Sequence, residues 1–144
     1  MEPNKWIPYL LTTGLALGLA DFCVKLAAKR VSNSTGFLLF GICTFVFSSG
    51  WFLWQRFHHV EQLVTPTGIV LGTAAGIGFS LVTLGLYASF GAGAPISVAS
   101  PVIRVCGLLI ASSLGLMILR EPMSWRYILG LLLAVSGIFL IVTS

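Results

Sequence analysis

Five long apolar segments, separated by short polar breaks, are the feature that most restricts how this chain can fold. They cover residues 6–28, 37–57, 68–90, 96–119 and 125–142. Each is close to the length of about 20 residues that an α-helix needs to cross a lipid bilayer. Because backbone groups inside a bilayer must satisfy their own hydrogen bonds, such segments favour helices. The pattern therefore predicts an all-α integral membrane bundle of five transmembrane helices, forming one domain over residues 1–144.

Composition agrees with a membrane location and argues against nucleic-acid binding. Of the 144 residues, 57% are hydrophobic and only 8% are charged, whereas average soluble domains carry about a quarter charged residues. The eight basic residues are scattered between apolar runs, and nucleic-acid binding needs a clustered basic surface. We therefore expect the protein to contact membrane lipids and to bind no nucleic acid.

Groups suited to catalysis or metal binding are few. The chain has four acidic residues and two histidines, and the adjacent His58 and His59 fall in a predicted loop. It contains no phosphate-binding loop, HExxH motif or GxSxG elbow. Cys23, Cys43 and Cys106 lie in apolar segments without CxxC spacing, which favours buried thiols. We therefore predict that the protein is not an enzyme and holds no metal or cofactor.

The polar breaks define short loops. Thr65 and Pro66 are typical of a helix N-cap and first helical position. The sequence GAGAP at 91–95 predicts a tight turn between the third and fourth segments. The sequence REPMS at 120–124 predicts another turn, with Ser124 as N-cap of the last helix. Loops this short leave no room for a domain outside the membrane.

Basic residues give only a weak preference for one orientation. Five spans place the termini on opposite sides of the membrane. Side A is defined as the side of residue 1 and of the loop near His58, and side B as the opposite one. Side A carries four basic residues against three on side B, counting Lys25 as snorkelling there. The positive-inside rule therefore slightly favours side A as cytoplasmic.

The first segment carries two charges on one helical face. Gly14, Gly18, Asp21 and Lys25 are separated by four, three and four residues, a spacing that places them together on a helix. The glycines form a GxxxG motif that lets another backbone approach closely. Ionisable residues inside a membrane are costly and are candidate functional groups. We expect Asp21 to point into the bundle.

The fourth segment repeats this arrangement with an arginine. Pro101 lies inside the segment and should kink the helix, because proline cannot donate to the carbonyl of Ser97. A kinked helix lined by hydroxyl groups is typical of a cavity wall. The residues that share its polar or small-residue face are Ser97, Ser100, Arg104, Gly107, Ala111 and Gly115.

Depth in the membrane connects the two charged segments. Asp21 lies seven residues before the side B end of its segment, or about 10 Å along a helix. Arg104 lies nine residues after Pro95, or about 13 Å from the same side. We therefore expect Asp21 and Arg104 to approach each other, directly or through water. In the alternative, Asp21 pairs only with Lys25 and Arg104 is a static structural bridge.

A third set of small residues lies in the third segment. Gly72, Gly76 and Ser80 share one helical face. This face predicts helix packing and not chemistry. The aromatic second segment is expected to pack mostly against lipid, with Trp51 as an alternative cavity residue.

Several motifs occur in the order found in a known family. Ala94-Pro95 opens the fourth segment, Glu121 lies in the following turn, and Gly130 and Gly137 are spaced along the last segment. Residues 93–142 thus resemble the second half of an EamA-type domain of the drug/metabolite transporter superfamily. Residues 18–25, GLADFCVK, resemble the first helix of that family. The related small multidrug resistance proteins place a glutamate seven residues before a lysine, where this chain has Gly18.

The resemblance implies a transporter-like fold with one five-helix repeat. Full-length members carry two repeats of inverted topology, with the substrate cavity between them. This chain would supply half of such a ten-helix fold and would need an antiparallel homodimer or a separate partner half. The expected function is a small secondary transporter or flippase subunit that moves a small metabolite or amphiphile across the plasma membrane. The alternative is a non-transporting accessory subunit of a larger membrane complex.

Residue roles follow from the same expectation. Asp21 would be the proton-coupling group, with Lys25 at the cavity mouth. Arg104, Ser97 and Ser100 would line the cavity.

Overall fold

All the regular structure in the described part of the chain, residues 6–120 and 124–143 of a computed structural model, is helical. The five helices are long and apolar enough to cross a membrane, which confirms the predicted all-α, multi-pass membrane architecture. Their bounds are α1 Ile7–Ala27, α2 Asn33–Phe57, α3 Pro66–Gly91, α4 Ile96–Leu114 and α5 Trp125–Thr143, with a π-helical turn at Gly115–Leu119.

The chain forms two compact units, Met1–Gly93 and Ala94–Ser144. The first contains α1, α2 and α3, and the second contains α4, the π-helical turn and α5. In the first unit α3 packs against both α1 and α2. In the second unit α4 packs against α5.

Helix α2 begins at Asn33, four residues before the predicted start at 37. Ser32 is the N-cap, and its Oγ accepts a hydrogen bond from the backbone N–H of Thr35 at 3.2 Å. The polar residues that suggested a loop therefore form the first turn of the helix, because N-cap and first-turn positions favour short hydroxyl and amide side chains. The predicted cap of α3 is confirmed, since Thr65 Oγ1 accepts from the N–H of Gly68 at 3.1 Å.

The turns that follow α3 and α4 use left-handed backbone. Gly93 has φ +100°, which explains the glycine in the predicted tight turn, because only glycine adopts this region at low cost. The fourth helix was expected to extend to 119, and the α-helical part ends at Leu114, where a π-helical turn begins at Gly115. That turn ends at Arg120, which has φ +52°. Glu121 lies outside the described residues.

Buried residues of the first unit gather towards side B, at the end of α1, the start of α2 and the end of α3. Gly36 lies directly against the ring of Tyr87, and a Cβ at Gly36 would come within 2.7 Å of the Tyr87 Cζ. Most other apolar side chains of these helices are exposed, as suits helices that face lipid. The buried residues are Asp21, Ala28, Gly36, Thr83, Leu86, Tyr87 and Phe90.

A side-chain hydrogen bond joins the helices of the second unit. The hydroxyl groups of Ser112 on α4 and Tyr127 on α5 are within hydrogen-bonding distance. This contact between spans was not predicted from the sequence. A tyrosine hydroxyl usually finds a partner when its ring is at a helix contact.

Candidate functional site

Asp21 is the buried charge of the first unit. Its side chain is 4% exposed, while Leu15 on the same helix is 70% exposed. The orientation expected from its helical face is therefore observed. A carboxylate at such a position in a membrane helix is costly unless the surroundings stabilise it. Its role in proton coupling stays a prediction.

Lys25 lies one turn further along α1 and contacts an aromatic ring. Its Nζ is 5.2 Å from the centroid of the Phe90 ring, within the range of a cation–π interaction. Phe90 is fully buried, so the lysine side chain is held against a fixed surface of α3. Asp21 and Lys25 are four residues apart on α1, so an acidic and a basic side chain lie beside the packing of α1 on α3.

The α3 residues of this cluster were not identified from the sequence. Thr83, Leu86, Tyr87 and Phe90 follow the spacing i, i+3, i+4, i+7 of one helical face. That spacing could have predicted a buried face, but α3 is apolar all round, so this face does not differ from the others in hydrophobicity. The Thr83 hydroxyl donates to the carbonyl of Phe79 at 2.9 Å, so its oxygen can still accept a hydrogen bond.

The glycine motifs of α1 and α3 lie on uncovered surface. Within the described part of the first unit, and apart from its own helix, no heavy atom lies within 4 Å of a Cβ placed at Gly14, Gly18, Gly72 or Gly76. Gly107 of the second unit is equally open within that unit. Ala111 is exposed and Gly115 is buried. The predicted packing at the open positions therefore needs a helix from outside the unit, and it stays a prediction.

A groove of about 940 Å³ runs between α2 and α3. Its apolar lining comes from phenylalanine, leucine and isoleucine side chains, and Gly41 and Gly76 leave room along it. Ser48 and Ser80 donate to carbonyls of their own helices, which leaves their oxygens able to accept hydrogen bonds from a guest. The hydroxyl-bearing residues that line the groove are Ser34, Thr44, Ser48 and Ser80.

The polar residues of α4 keep the spacing predicted from the sequence, because α4 is helical from Ile96 to Leu114. Arg104 and Ser100 are partly buried, and Ser97 is exposed. Arg104 belongs to the second unit and Asp21 to the first. The approach of these two side chains stays a prediction, and so does the kink at Pro101.

The expectation of buried cysteines was wrong. Cys23, Cys43 and Cys106 are free and exposed on their helices. In a helix that is apolar all round, an apolar neighbourhood in sequence does not mean a position in the core. Among the described residues, no group of three histidine, cysteine or acidic side chains is arranged to hold a metal ion.

Comparison of the chain with protein-family models, with curated proteins and with solved structures gives no match. The similarity to EamA-type domains therefore rests on the sequence motifs alone.

Proposed function

We propose that the protein is a small secondary transporter or flippase subunit of the plasma membrane that moves a small metabolite or amphiphile. The observation that carries this proposal is the burial of Asp21 in a helix that is long and apolar enough to cross a bilayer. Stability alone does not favour a carboxylate at such a site, because desolvation is costly. Retained ionisable groups in membrane helices are typical of proton and substrate pathways.

The proposed mechanism uses the change in charge of this carboxylate. Protonated Asp21 is neutral, so it can remain buried while the site is closed to water. Opening the site to water on one side lets the proton leave, and the charged form then favours a state with water or substrate at the site. A ligand shifts a conformational equilibrium only by its differential affinity for the two states, so a proton on Asp21 and a substrate bound elsewhere in the same unit can be coupled when each favours one state. Lys25, which contacts the Phe90 ring, would lie at the mouth of the cavity.

The groove between α2 and α3 supports an amphiphile or small metabolite as the transported molecule. It combines apolar walls with hydroxyl groups, a combination that binds apolar guests and orients their polar groups. The groove is formed by two spanning helices, so a guest dissolved in lipid could enter it from the side.

The uncovered glycine faces support assembly with another chain. Glycine-containing faces allow the close backbone contacts on which membrane helices depend, and Gly14 and Gly18 have no such contact within the described first unit. We propose an antiparallel homodimer, which would reproduce the inverted-repeat arrangement of two-repeat transporters. A separately encoded partner half is the alternative.

Uptake into proteoliposomes under an imposed pH gradient tests the proposal. Wild-type protein should accumulate at least one compound from a panel of metabolites and labelled lipid analogues. Asp21→Asn should lose the response to the gradient, because the amide cannot exchange a proton. Glu61→Gln, in an exposed loop, is the matched control and should behave as wild type. Wild-type rates from a folded Asp21→Asn protein would exclude Asp21 as the coupling group.

The second candidate function is an accessory subunit of a larger membrane complex. The same uncovered glycine faces favour it, because they fit a helix of an unrelated protein as well as one from a second copy. Purification from native membranes in a mild detergent separates the two proposals. An unrelated partner in stoichiometric amount, without transport by the purified chain, would favour the accessory role.

A further inference from the structure

The loop that follows α2 is folded back on the helix and held there by hydrogen bonds. The N–H of Val60 donates to the carbonyl of Gln55 at 3.1 Å, and that of His59 donates to the carbonyl of Arg56 at 3.2 Å. The Gln62 amide donates to Gln55 Oε1 at 3.2 Å and to the carbonyl of Val60 at 3.3 Å. The residues that follow the helix thus form a defined cap.

This cap borders an open pocket of about 540 Å³, lined by Arg56, His59, Val60 and Gln62. His59 has φ +51°, a conformation that is unfavourable for a residue with a Cβ. The residue after a helix C-cap often takes this left-handed conformation, and histidine is among the non-glycine residues that adopt it most readily. Arginine, histidine and glutamine side chains offer several hydrogen-bond donors, and Arg56 carries a permanent positive charge.

The pocket lies at the depth of lipid headgroups. Helix α2 has 25 residues and is therefore about 37 Å long, whereas the hydrocarbon core is about 30 Å thick. A helix of this length can place its last turn in the headgroup layer. The stacked rings of Trp51 and Trp54, with centroids 5.3 Å apart, lie before that turn, as is typical of residues at the membrane interface.

An apolar hollow of about 420 Å³ lies on α2 before the pocket, lined by Val46, Phe47, Gly50, Trp51 and Trp54. The Trp54 ring lies against His58 with centroids 4.4 Å apart and the ring planes tilted by 34°. His58 Nδ1 lies 2.8 Å from the carbonyl of Trp54, so this ring is held in place. The hollow and the donor-bearing pocket thus both lie at the end of α2, and an acyl chain joined to a phosphate offers a group suited to each.

We propose that this end of α2 binds an anionic phospholipid, with the phosphate against Arg56, His59 and Gln62 and an acyl chain along the Trp51–Trp54 surface. Arginine is well suited to phosphate because its planar group can donate two parallel hydrogen bonds. Glu61 belongs to the same loop but does not line the pocket. The site is separate from Asp21 and does not depend on the proposed transport activity.

Lipid retention by the purified full-length chain tests this proposal. The protein is equilibrated with dioleoyl phosphatidylglycerol or dioleoyl phosphatidylcholine in detergent, and bound lipids are counted by native mass spectrometry. Wild-type protein should prefer phosphatidylglycerol. Arg56→Gln should weaken that preference about fivefold, the effect expected from one basic residue near an anionic membrane surface. The matched control, Arg30→Gln, removes an exposed charge from the opposite loop and should leave the preference unchanged.

Two further variants separate the headgroup from the acyl chain. Glu61→Gln removes the one acidic residue of the loop and should strengthen phosphatidylglycerol binding. Gly50→Leu should lower retention of the dioleoyl lipid by filling the hollow, since a Cβ at Gly50 has open space around it. Equal loss from Arg56→Gln and Arg30→Gln would overturn the proposal in favour of general surface attraction. Displacement of the lipid by millimolar inorganic phosphate would assign the pocket to free phosphate instead.

Discussion

Replacing Gly36 by alanine should loosen the packing of α2 on α3. A Cβ at this position would lie 2.7 Å from Tyr87 Cζ and 2.9 Å from its Cδ1, and these are atoms of a rigid ring that is 8% exposed. Either the ring or the helix must move. Overpacking of this kind typically costs about 1–3 kcal/mol in free energy of unfolding.

Gly41→Ala on the same helix is the matched control, because a Cβ there has no heavy atom within 4 Å in the described residues. Alanine favours a helix over glycine by about 1 kcal/mol, and this gain applies to both variants. The difference between them therefore isolates the contact with Tyr87. We expect Gly36→Ala to be less stable than Gly41→Ala by about 1–3 kcal/mol, where 1 kcal/mol is about a fivefold change in the unfolding equilibrium.

Reversible unfolding in mixed micelles, followed by helix content, measures this difference. In a Tyr87→Leu background the ring is gone, so the two alanine variants should become equal relative to that background. Tyr87→Phe keeps the ring atoms concerned and should keep the difference. Equal stability of Gly36→Ala and Gly41→Ala in the wild-type background would refute the close contact between Gly36 and Tyr87.

Three further substitutions test other contacts by the same unfolding measurement. Tyr127→Phe removes the hydrogen bond to α4 and should lower the free energy of unfolding by about 0.6 kcal/mol. Ser113→Ala removes only a hydrogen bond to its own helix and should lower it by less. Equal losses would argue against the contact between spans. Lys25→Met should lose the cation–π contact with Phe90 and lower the free energy of unfolding by about 0.5–2 kcal/mol, while Lys25→Arg should retain the contact. Equal stability of the two variants would contradict that contact. Gly93→Ala should destabilise by about 1 kcal/mol, because alanine is strained at φ +100°; a neutral effect would contradict the left-handed turn.

The sequence was most informative where the bilayer sets the length of a helix or makes an exposed polar group unfavourable. The five apolar segments predicted the five helices, because length and hydropathy alone decide whether a segment can span. The capping residue Thr65 located the start of α3 correctly. The start of α2 was placed too late, because Ser32, Asn33 and Ser34 suit a loop as well as a helix N-terminus.

The sequence identified which face of α1 is buried, but it did not show how much of that face another helix of the unit covers. Asp21 is buried while Gly14 and Gly18 on the same face are open within the first unit. Spacing along a helix gives the face, but it does not tell how far along that face a neighbouring helix makes contact. The glycine face was expected to pack inside the bundle, and the observed contacts of the unit are concentrated towards side B.

The pocket after α2 could not be derived from the sequence. It depends on backbone hydrogen bonds of residues 58–62 and on a left-handed His59. No glycine marks that position, so the usual turn signals are missing. The pairing of Trp54 with His58 is visible only once the helix end is known, because the ring contact crosses the last turn of α2.

We propose that this chain is one half of a transport pathway completed by a second copy in the opposite orientation. Labelling of single cysteines with a membrane-impermeant reagent tests it most directly, in a background with Cys23, Cys43 and Cys106 replaced by serine. Leu63→Cys, 93% exposed in the loop after α2, reports side A, and Ala92→Cys at the end of α3 reports side B. For an antiparallel homodimer we expect each cysteine to be labelled in comparable amounts from both sides of the membrane. Labelling of Leu63→Cys from one side and of Ala92→Cys only from the other would contradict the antiparallel homodimer.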